Sequence, residues 1–281
     1  MKYLCAELEH AADGDLGAGA KGFRQSDLWL EVEEAVVELL EGVHLHEPAV
    51  GAGAGLGGAG DEDFVRDLAT KAVEHAGAPC AFVSADLADA SAPDAIFEAA
   101  LTRFDKVDVL VNSAALTDRG AAVDADLALW ERLYAVNARA PFFLMQKLIN
   151  HLRGRRAPGA IVNILSMHAH GGMPSLAVYG STKAALAALT RNVAHAHRFD
   201  RIRANAINVG WVDTPAERQM QSVTLGKGDG WLEEAAAHQP FGRLLTPDDV
   251  ARLALFLAGE ASEPMTGAII DQEQFVIGAF G

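Results

Sequence analysis

The sequence predicts an α/β fold: one parallel, doubly wound sheet with helices on both faces, three layers in all. Two observations lead to it. From about residue 80 onward, short runs rich in Val, Ile and Leu alternate with longer stretches of amphipathic helical spacing, and such alternation builds parallel strands joined by right-handed crossovers. The runs themselves are almost continuously apolar, as strands covered on both faces are. A chain of 281 residues that is 50% hydrophobic can bury the core of one such domain.

The elements follow in order. Residues 1–60 carry eleven Asp/Glu against three Lys/Arg and read as an irregular acidic segment, open to partial disorder, ahead of an α/β domain over 61–281. Within it, Leu30, Val32, Val36, Val37 and Leu40 form the apolar stripe of an acidic helix. Gly51 to Gly60 holds six Gly in ten residues, and Gly53-Ala54-Gly55-Leu56-Gly57-Gly58 satisfies Gly-x-Gly-x-x-Gly between Val43-His44-Leu45 and a helical stretch from Asp61 to His75. Such a triplet is either a phosphate loop at a helix N-terminus or a flexible linker in which composition alone supplies the spacing. The linker reading is adopted, because only thirty-odd residues separate Gly53 from Asp86; a shifted reading frame would leave the same foreign composition. Strands are then expected at 81–85, 107–112, 159–165, 203–209 and 267–271, and helices at 92–104, 125–152, 176–198 and 247–258. Between Pro215 and Pro240 a polar stretch interrupted by Gly226, Gly228 and Gly230 reads as a mobile lid or as a plain surface loop.

A formal charge of −15 leaves no basic face for phosphates, which argues against nucleic acid and anionic membranes and for a small-molecule substrate. Cys5 and Cys80 fit neither a disulfide framework nor a Cys-x-x-Cys site, so a reducing cytoplasm is expected. No run is long and apolar enough to cross a membrane, and the first residues lack the apolar stretch of a signal peptide. The pairs His44/His46, His168/His170 and His195/His197 lack an evident third ligand, so no metal is expected.

The chemistry concentrates at Tyr179 and Lys183. Four residues apart, they share one face of a helix, where the cation stabilises a phenolate. Ser166 closes the apolar run Ile161-Val162-Asn163-Ile164-Leu165 thirteen residues earlier, so a hydroxyl leaving a strand end can meet the pair. Asp86, Asn112, Ser166 and Gly210 all fall at or just past expected strand ends, the edge at which open parallel sheets bind ligands.

These residues, with Asn137 in Tyr134-Ala135-Val136-Asn137-Ala138, Asp108-Val109-Leu110-Val111-Asn112-Ser113-Ala114-Ala115, Asp86-Leu87, Asn205-Ala206-Ile207-Asn208-Val209-Gly210-Trp211-Val212-Asp213-Thr214 and Met265 to Asp271, fall in the order and spacing of a known family. The chain resembles the short-chain dehydrogenase/reductases over about residues 80–272. The resemblance implies a Rossmann-like fold and an NAD- or NADP-dependent alcohol dehydrogenase or ketone reductase. By the same resemblance Tyr179 is the general acid/base, Lys183 supports it and holds the nicotinamide ribose, Ser166 polarises the substrate oxygen, and Asn137 anchors a water leading to Lys183. Asp86 and Leu87 match positions that hold adenine, Asn112 and Ala114 the adenosine side, and Gly210, Val212 and Thr214 the carboxamide and pyrophosphate. His168, Met173, Trp211, Gln219 and Trp231 are candidates to shape a pocket for a polar, polyhydroxylated substrate. Ala184, Ala185, Ala187 and Ala188 leave the Tyr179 helix small-faced, and the family commonly forms dimers or tetramers through this region.

The departures are the missing Thr-Gly-x-x-x-Gly-x-Gly turn, in whose place residues 32–42 stand, Ala115 for the usual Gly, and Val209 for the usual Pro. They leave a second reading, a non-catalytic member that keeps the scaffold and binds dinucleotide poorly. Glu47 favours NAD over NADP if Val43 to Leu45 is the second strand, since a carboxylate accepts from ribose hydroxyls and repels a 2′-phosphate.

Overall fold

The computed structural model describes residues 85–214, 217–218 and 220–278. The acidic helix, the Gly53–Gly58 stretch, Glu47, both cysteines, Gln219, residues 81–84 of the first expected strand and the boundary at residue 60 lie outside the described residues.

Four parallel strands form the described sheet: β1 (Val109–Asn112), β2 (Gly159–Ile164), β3 (Ile202–Val209) and β4 (Ile269–Gln272), side by side in that order. Their register aligns Asn112 with Asn163, Ile164 with Ile207 and Val209 with Gln272, so the carboxyl ends of the strands share one edge. Alternate side chains face opposite layers. Leu110, Ile161, Ala204 and Ala206 enter one core with helices α1 (Ala92–Phe104), α2 (Leu127–Tyr134), α3 (Ala140–Arg155) and α4 (Ala177–His197). Val111, Val162, Ile164 and Ile207 enter a second core against helix α6 (Pro247–Ala258), which follows the short helix α5 (Trp231–Ala237). Leu133, Met145, Leu148 and Leu152 are completely enclosed in the first core, each contributing about 1.5–3 kcal/mol of transfer free energy.

Local chemistry sets the helix bounds. Pro93, Pro141 and Pro247 sit in first turns, where a missing N–H costs nothing. Asp126 accepts from Leu129 N at 2.8 Å to start α2, and Thr246 and Asp249 form a reciprocal capping box at the start of α6. At the other end of α6 the buried Arg203 guanidinium donates to the carbonyls of Leu257, Ala258 and Gly259 and to Ser262 Oγ, satisfying the last-turn acceptors with a cation.

Two expectations are corrected. The helix expected over 125–152 is α2 and α3 joined by a π-helical turn, Ala135–Arg139. Pro141 has no N–H to return to the carbonyl of Asn137 four residues back, and the turn widens around Asn137. The crossovers are not all of one hand. The strands step in one direction across the sheet, yet β1 to β2 and β2 to β3 connect through the first layer and β3 to β4 through α6 on the opposite face. A connection over the opposite face has the opposite hand, and the long segment from Gly210 to Leu245 carries the chain across the carboxyl edge to make it.

Candidate active site

The site grows from the end of β2. After Ile164, the N–H of Leu165 still donates to Ile207 O at 2.8 Å, which fixes the direction in which Ser166 leaves the sheet. Ser166 then caps a 3-10 turn, Met167–His170, its Oγ accepting from His168 N at 3.2 Å. That turn lies directly on α4. A Cβ on Gly180 would stand 2.6 Å from the His168 carbonyl oxygen, so hydrogen in place of a methyl lets the Ser166 loop rest against the helix that carries Tyr179.

On α4, Tyr179 and Lys183 point to the same side. The Lys183 ammonium lies 5.8 Å from the Tyr179 ring centroid and donates to Ile164 O at 2.9 Å. Lys183 is 2% exposed, Tyr179 7% and Ser166 8%; a cation so enclosed is held for a purpose other than stability.

Asn137 fixes the position of α4 from behind. Its Oδ1 accepts from Leu116 N at 2.8 Å, and its Nδ2 donates to Leu116 O at 2.8 Å and to Thr182 Oγ1 at 3.1 Å. The residue widened out of the helix by the π turn thus ties the chain leaving β1 to the helix turn between Tyr179 and Lys183. A second internal chain runs from Asn112 Nδ2 to Asn163 Oδ1 at 2.8 Å and from Asn163 Nδ2 to Thr190 Oγ1 at 2.9 Å, locking β1, β2 and α4 together.

A cavity of about 670 Å³ opens at the carboxyl edge of the sheet. Of the residues expected to act, Ser166, Tyr179, Lys183, His168, Met173, Gly210, Trp211, Val212 and Thr214 line it. Asn137, Asn112 and Ala114 lie buried behind it, Leu87 is 3% exposed in the core, and Asp86 is exposed with its carboxylate accepting from Ala88 N at 2.9 Å. Trp231 does not reach the cavity: it is buried beneath Trp211, ring centroids 6.0 Å apart, beside Leu244. His170 turns toward β4, where its Nε2 lies 3.0 Å from Asp271 Oδ1.

Other lining residues were not anticipated, among them Ser113, Arg119, Ser175, Glu217, Gln221 and Glu273. Ser113 and Arg119 follow β1 at the same edge as Ser166, and that position was the available signal. Glu217 organises the segment over the cavity: its Oε1 accepts from Trp211 Nε1 at 2.7 Å and from Gln221 Nε2 at 2.6 Å. Among the described residues Ser113 Oγ and Gln221 Oε1 are buried with no hydrogen-bond partner, so the wall offers polar atoms that those residues leave unused. Burial, helped by the Arg119 charge, pushes His168 below the usual imidazole range, so its ring is neutral at neutral pH. Among the described residues no three His, Cys, Asp or Glu side chains cluster as metal ligands, and no helix is long and apolar enough to cross a membrane.

The profile described as Enoyl-(Acyl carrier protein) reductase, of the adh_short_C2 type, matches residues 50–273. The chain is 31% identical over 206 residues to the short-chain dehydrogenase/reductase FrzI of Cladobotryum sp, covering 73% of this chain and 78% of that protein. Among solved structures it is similar to the L-sorbose reductase of Gluconobacter frateurii complexed with NADPH and L-sorbose, at a TM-score of 0.72 and 26% identity, covering 78% and 84% of the two chains. It is also similar to the 3-ketoacyl-(acyl-carrier-protein) reductase of Brucella melitensis complexed with NADH, at 0.63 and 30%, covering 73% and 82%. With Ser166, Tyr179 and Lys183 gathered at the edge of a parallel sheet and a profile match across most of its length, the chain belongs to the short-chain dehydrogenase/reductase family.

Proposed function

We propose that this protein is an NAD- or NADP-dependent oxidoreductase that interconverts a secondary alcohol and a ketone on a polar small molecule, with Tyr179 as general acid/base. The observation that carries the reading is the phenol and the buried ammonium one helical turn apart on the wall of a 670 Å³ cavity, with Ser166 on the same wall. A nicotinamide cofactor supplies the hydride acceptor for oxidation and the hydride donor for reduction. The residues present suit its nicotinamide end: a buried lysine, the unsatisfied Ser113 Oγ and Gln221 Oε1, and Val212 and Thr214 along the same cavity.

In the oxidising direction the Tyr179 oxygen takes the proton of the alcohol, and the Ser166 hydroxyl orients the same substrate oxygen. In reduction Tyr179 returns that proton to the carbonyl oxygen. A free phenol titrates near ~10, so the adjacent Lys183 charge is what makes proton transfer practicable near neutral pH. Asn137 acts as a positioning residue through Thr182 and Leu116, and Asn112 holds the ends of β1 and β2 in line. Asp86, Leu87 and Ala114 are assigned to the adenosine end by family resemblance. Trp211, Met173 and His168 shape the substrate end, where the bound L-sorbose of the Gluconobacter enzyme supports a polyhydroxylated or similarly polar ligand. The protein is proposed to work in the cytoplasm as a homodimer or homotetramer. The exposed Leu127 and Trp130 on α2 and Ala184 and Ala188 on α4 support assembly through those helices.

The decisive experiment is Tyr179→Phe, which removes one hydroxyl. Steady-state turnover of any accepted alcohol should vanish while the circular dichroism spectrum is unchanged. Activity within a few fold of the parent would refute the role of Tyr179.

A further inference from the structure

The cavity wall is divided electrostatically. On one side, near β3 and β4, stand the carboxylates of Glu217 and Glu273, with Lys227 over the Trp211 ring; on the other, after β1, stands Arg119. Among the described residues no carboxylate pairs with Arg119. Among the described residues its hydrogen bonds run from Nη1, to Ser175 Oγ at 3.1 Å and Met173 Sδ at 3.9 Å, and a guanidinium has further N–H donors in a planar fork. Ser175 therefore fixes the orientation of the group and leaves its remaining donors for something else. His168 lines the cavity together with Arg119 and Tyr179, its ring centroid 6.3 Å from that of Tyr179 in an edge-on arrangement. The neutral imidazole adds no second charge there, so the cationic end is a single guanidinium.

We propose that Arg119 anchors a carboxylate carried by the substrate, making this protein selective for secondary hydroxy acids and the matching oxo acids over neutral alcohols. The proposal rests on the oxidoreductase reading above and refines its substrate class. A carboxylate fits better than a phosphate: one guanidinium matches one planar monoanion in bidentate geometry, whereas a dianion would have that single cation at this end and meet a chain of net charge −15. Glu217 and Glu273 also repel the reversed orientation, so they set which end of the substrate lies at Arg119. The carboxylate itself is unchanged by the reaction, in which the hydride passes to the nicotinamide and the proton to Tyr179.

The test compares 3-hydroxybutanoate, 5-hydroxyhexanoate and 3-hydroxycyclohexanecarboxylate with their carboxamides, using the full chain with NAD and with NADP. The parent should prefer at least one acid by about ten- to a hundredfold in kcat/KM, the range of a charge-assisted hydrogen-bonded pair. In Arg119→Gln the ratio should fall toward one, and Arg119→Lys should retain part of it. Because each ratio is measured on one preparation, loss of folded protein cancels. A ratio near one in the parent, or one unchanged in Arg119→Gln, overturns the anchor while observed turnover leaves the oxidoreductase reading standing. If no compound is turned over, calorimetric titration with the same acids and carboxamides decides. Acid-selective binding lost in Arg119→Gln supports the anchor and counts against the redox reading, whereas equal or absent binding overturns the anchor.

Discussion

Replacing Asn137 by Ala should damage the protein twice, and the hydrogen bonds state by how much. The amide satisfies both backbone groups of Leu116, each at 2.8 Å, and also meets Thr182 Oγ1 at 3.1 Å. Leu116 is 2% exposed, so its N–H and C=O would be left buried, each unsatisfied group costing about 1–3 kcal/mol. Entry of a water into the vacated space recovers part of that, and a net loss of about 2–4 kcal/mol is expected. At about 2–4 °C per kcal/mol for a domain of this size, the melting temperature should fall by roughly 5–15 °C. Because Thr182 lies between Tyr179 and Lys183, the α4 turn loses its reference to β1, and a displacement near 1 Å costs on the order of a hundredfold in rate. Calorimetry and steady-state turnover would be measured side by side, with Asn137→Asp as a variant that keeps the acceptor and loses the donors. A melting temperature within about 1 °C of the parent for Asn137→Ala would refute the bridging role.

The remaining predictions concern three other places. Lys183→Met should abolish turnover and weaken fluorescence-detected binding of reduced nicotinamide cofactor, yet leave the melting temperature equal or higher, because a buried charge is replaced by an apolar chain of similar length; unchanged cofactor affinity would remove Lys183 from the cofactor site. Asp249 is held at about 2, its burial opposing the shift but outweighed by hydrogen bonds from Arg243 and Thr246. A depressed carboxyl adds stability that is complete above its unfolded value near 4 and is lost as pH falls toward 2, a contribution of at most about 2 kcal/mol. Asp249→Asn should therefore flatten acid denaturation over that window, and an unaltered acid limb would count against the assignment. At the N-terminus, Gly55→Ala with Gly58→Ala should change dinucleotide affinity little if Gly53–Gly58 is a linker; tight calorimetric binding by the parent that disappears in the double variant would establish a phosphate loop instead.

Helix bounds were most legible where capping chemistry and period agreed. Ala92–Phe104 and Pro247–Ala258 match their expected limits because a proline opens each and apolar spacing runs to the end. The π turn was also written in the chain, as Pro141 inside an otherwise regular apolar pattern, but a period count passes over a single missing N–H. The hand of the third crossover was not legible, since alternation of strand and helix is the same whichever face the helix covers. Helix α5 escaped notice because seven residues hold too few turns to show a period. That Ser166, Tyr179 and Lys183 would converge on one cavity was legible because strand end and helix spacing each constrain them. Arg119 and Glu273 lie in irregular segments, where no period says which way a side chain faces, and Glu217 sits in helical residues too few to show one. Trp231 shows the converse: its size suggested a pocket wall, but burial against Trp211 and Leu244 claimed it for packing.

The site asks for an arrangement that folding alone would not select. An ammonium 98% removed from solvent and cavity-wall polar atoms with no partner among the described residues are each unfavourable, and they persist because the surrounding structure over-determines them. The Ile164 carbonyl that accepts from Lys183 cannot retreat, since the strand register holds Ile164 against Ile207 of β3. Tyr179 cannot turn away, since Asn137 grips the next turn and Gly180 is pressed under the Ser166 loop. Compensation comes from the far side of the sheet, where Arg203 and the Thr246–Asp249–Arg243 cluster finish both ends of α6. By contrast the described part of the cavity's outer wall beyond Trp211 belongs to no strand of the sheet and is held by local bonds: Glu217 to Trp211 and Gln221, Arg218 to Asp213, and Leu225 N to Met220 O. A sheet-borne floor under a cover that lies outside the sheet is the division expected when one reaction is to be kept and its substrate changed: substitutions in the cover should alter what enters, while those in the floor should end the chemistry.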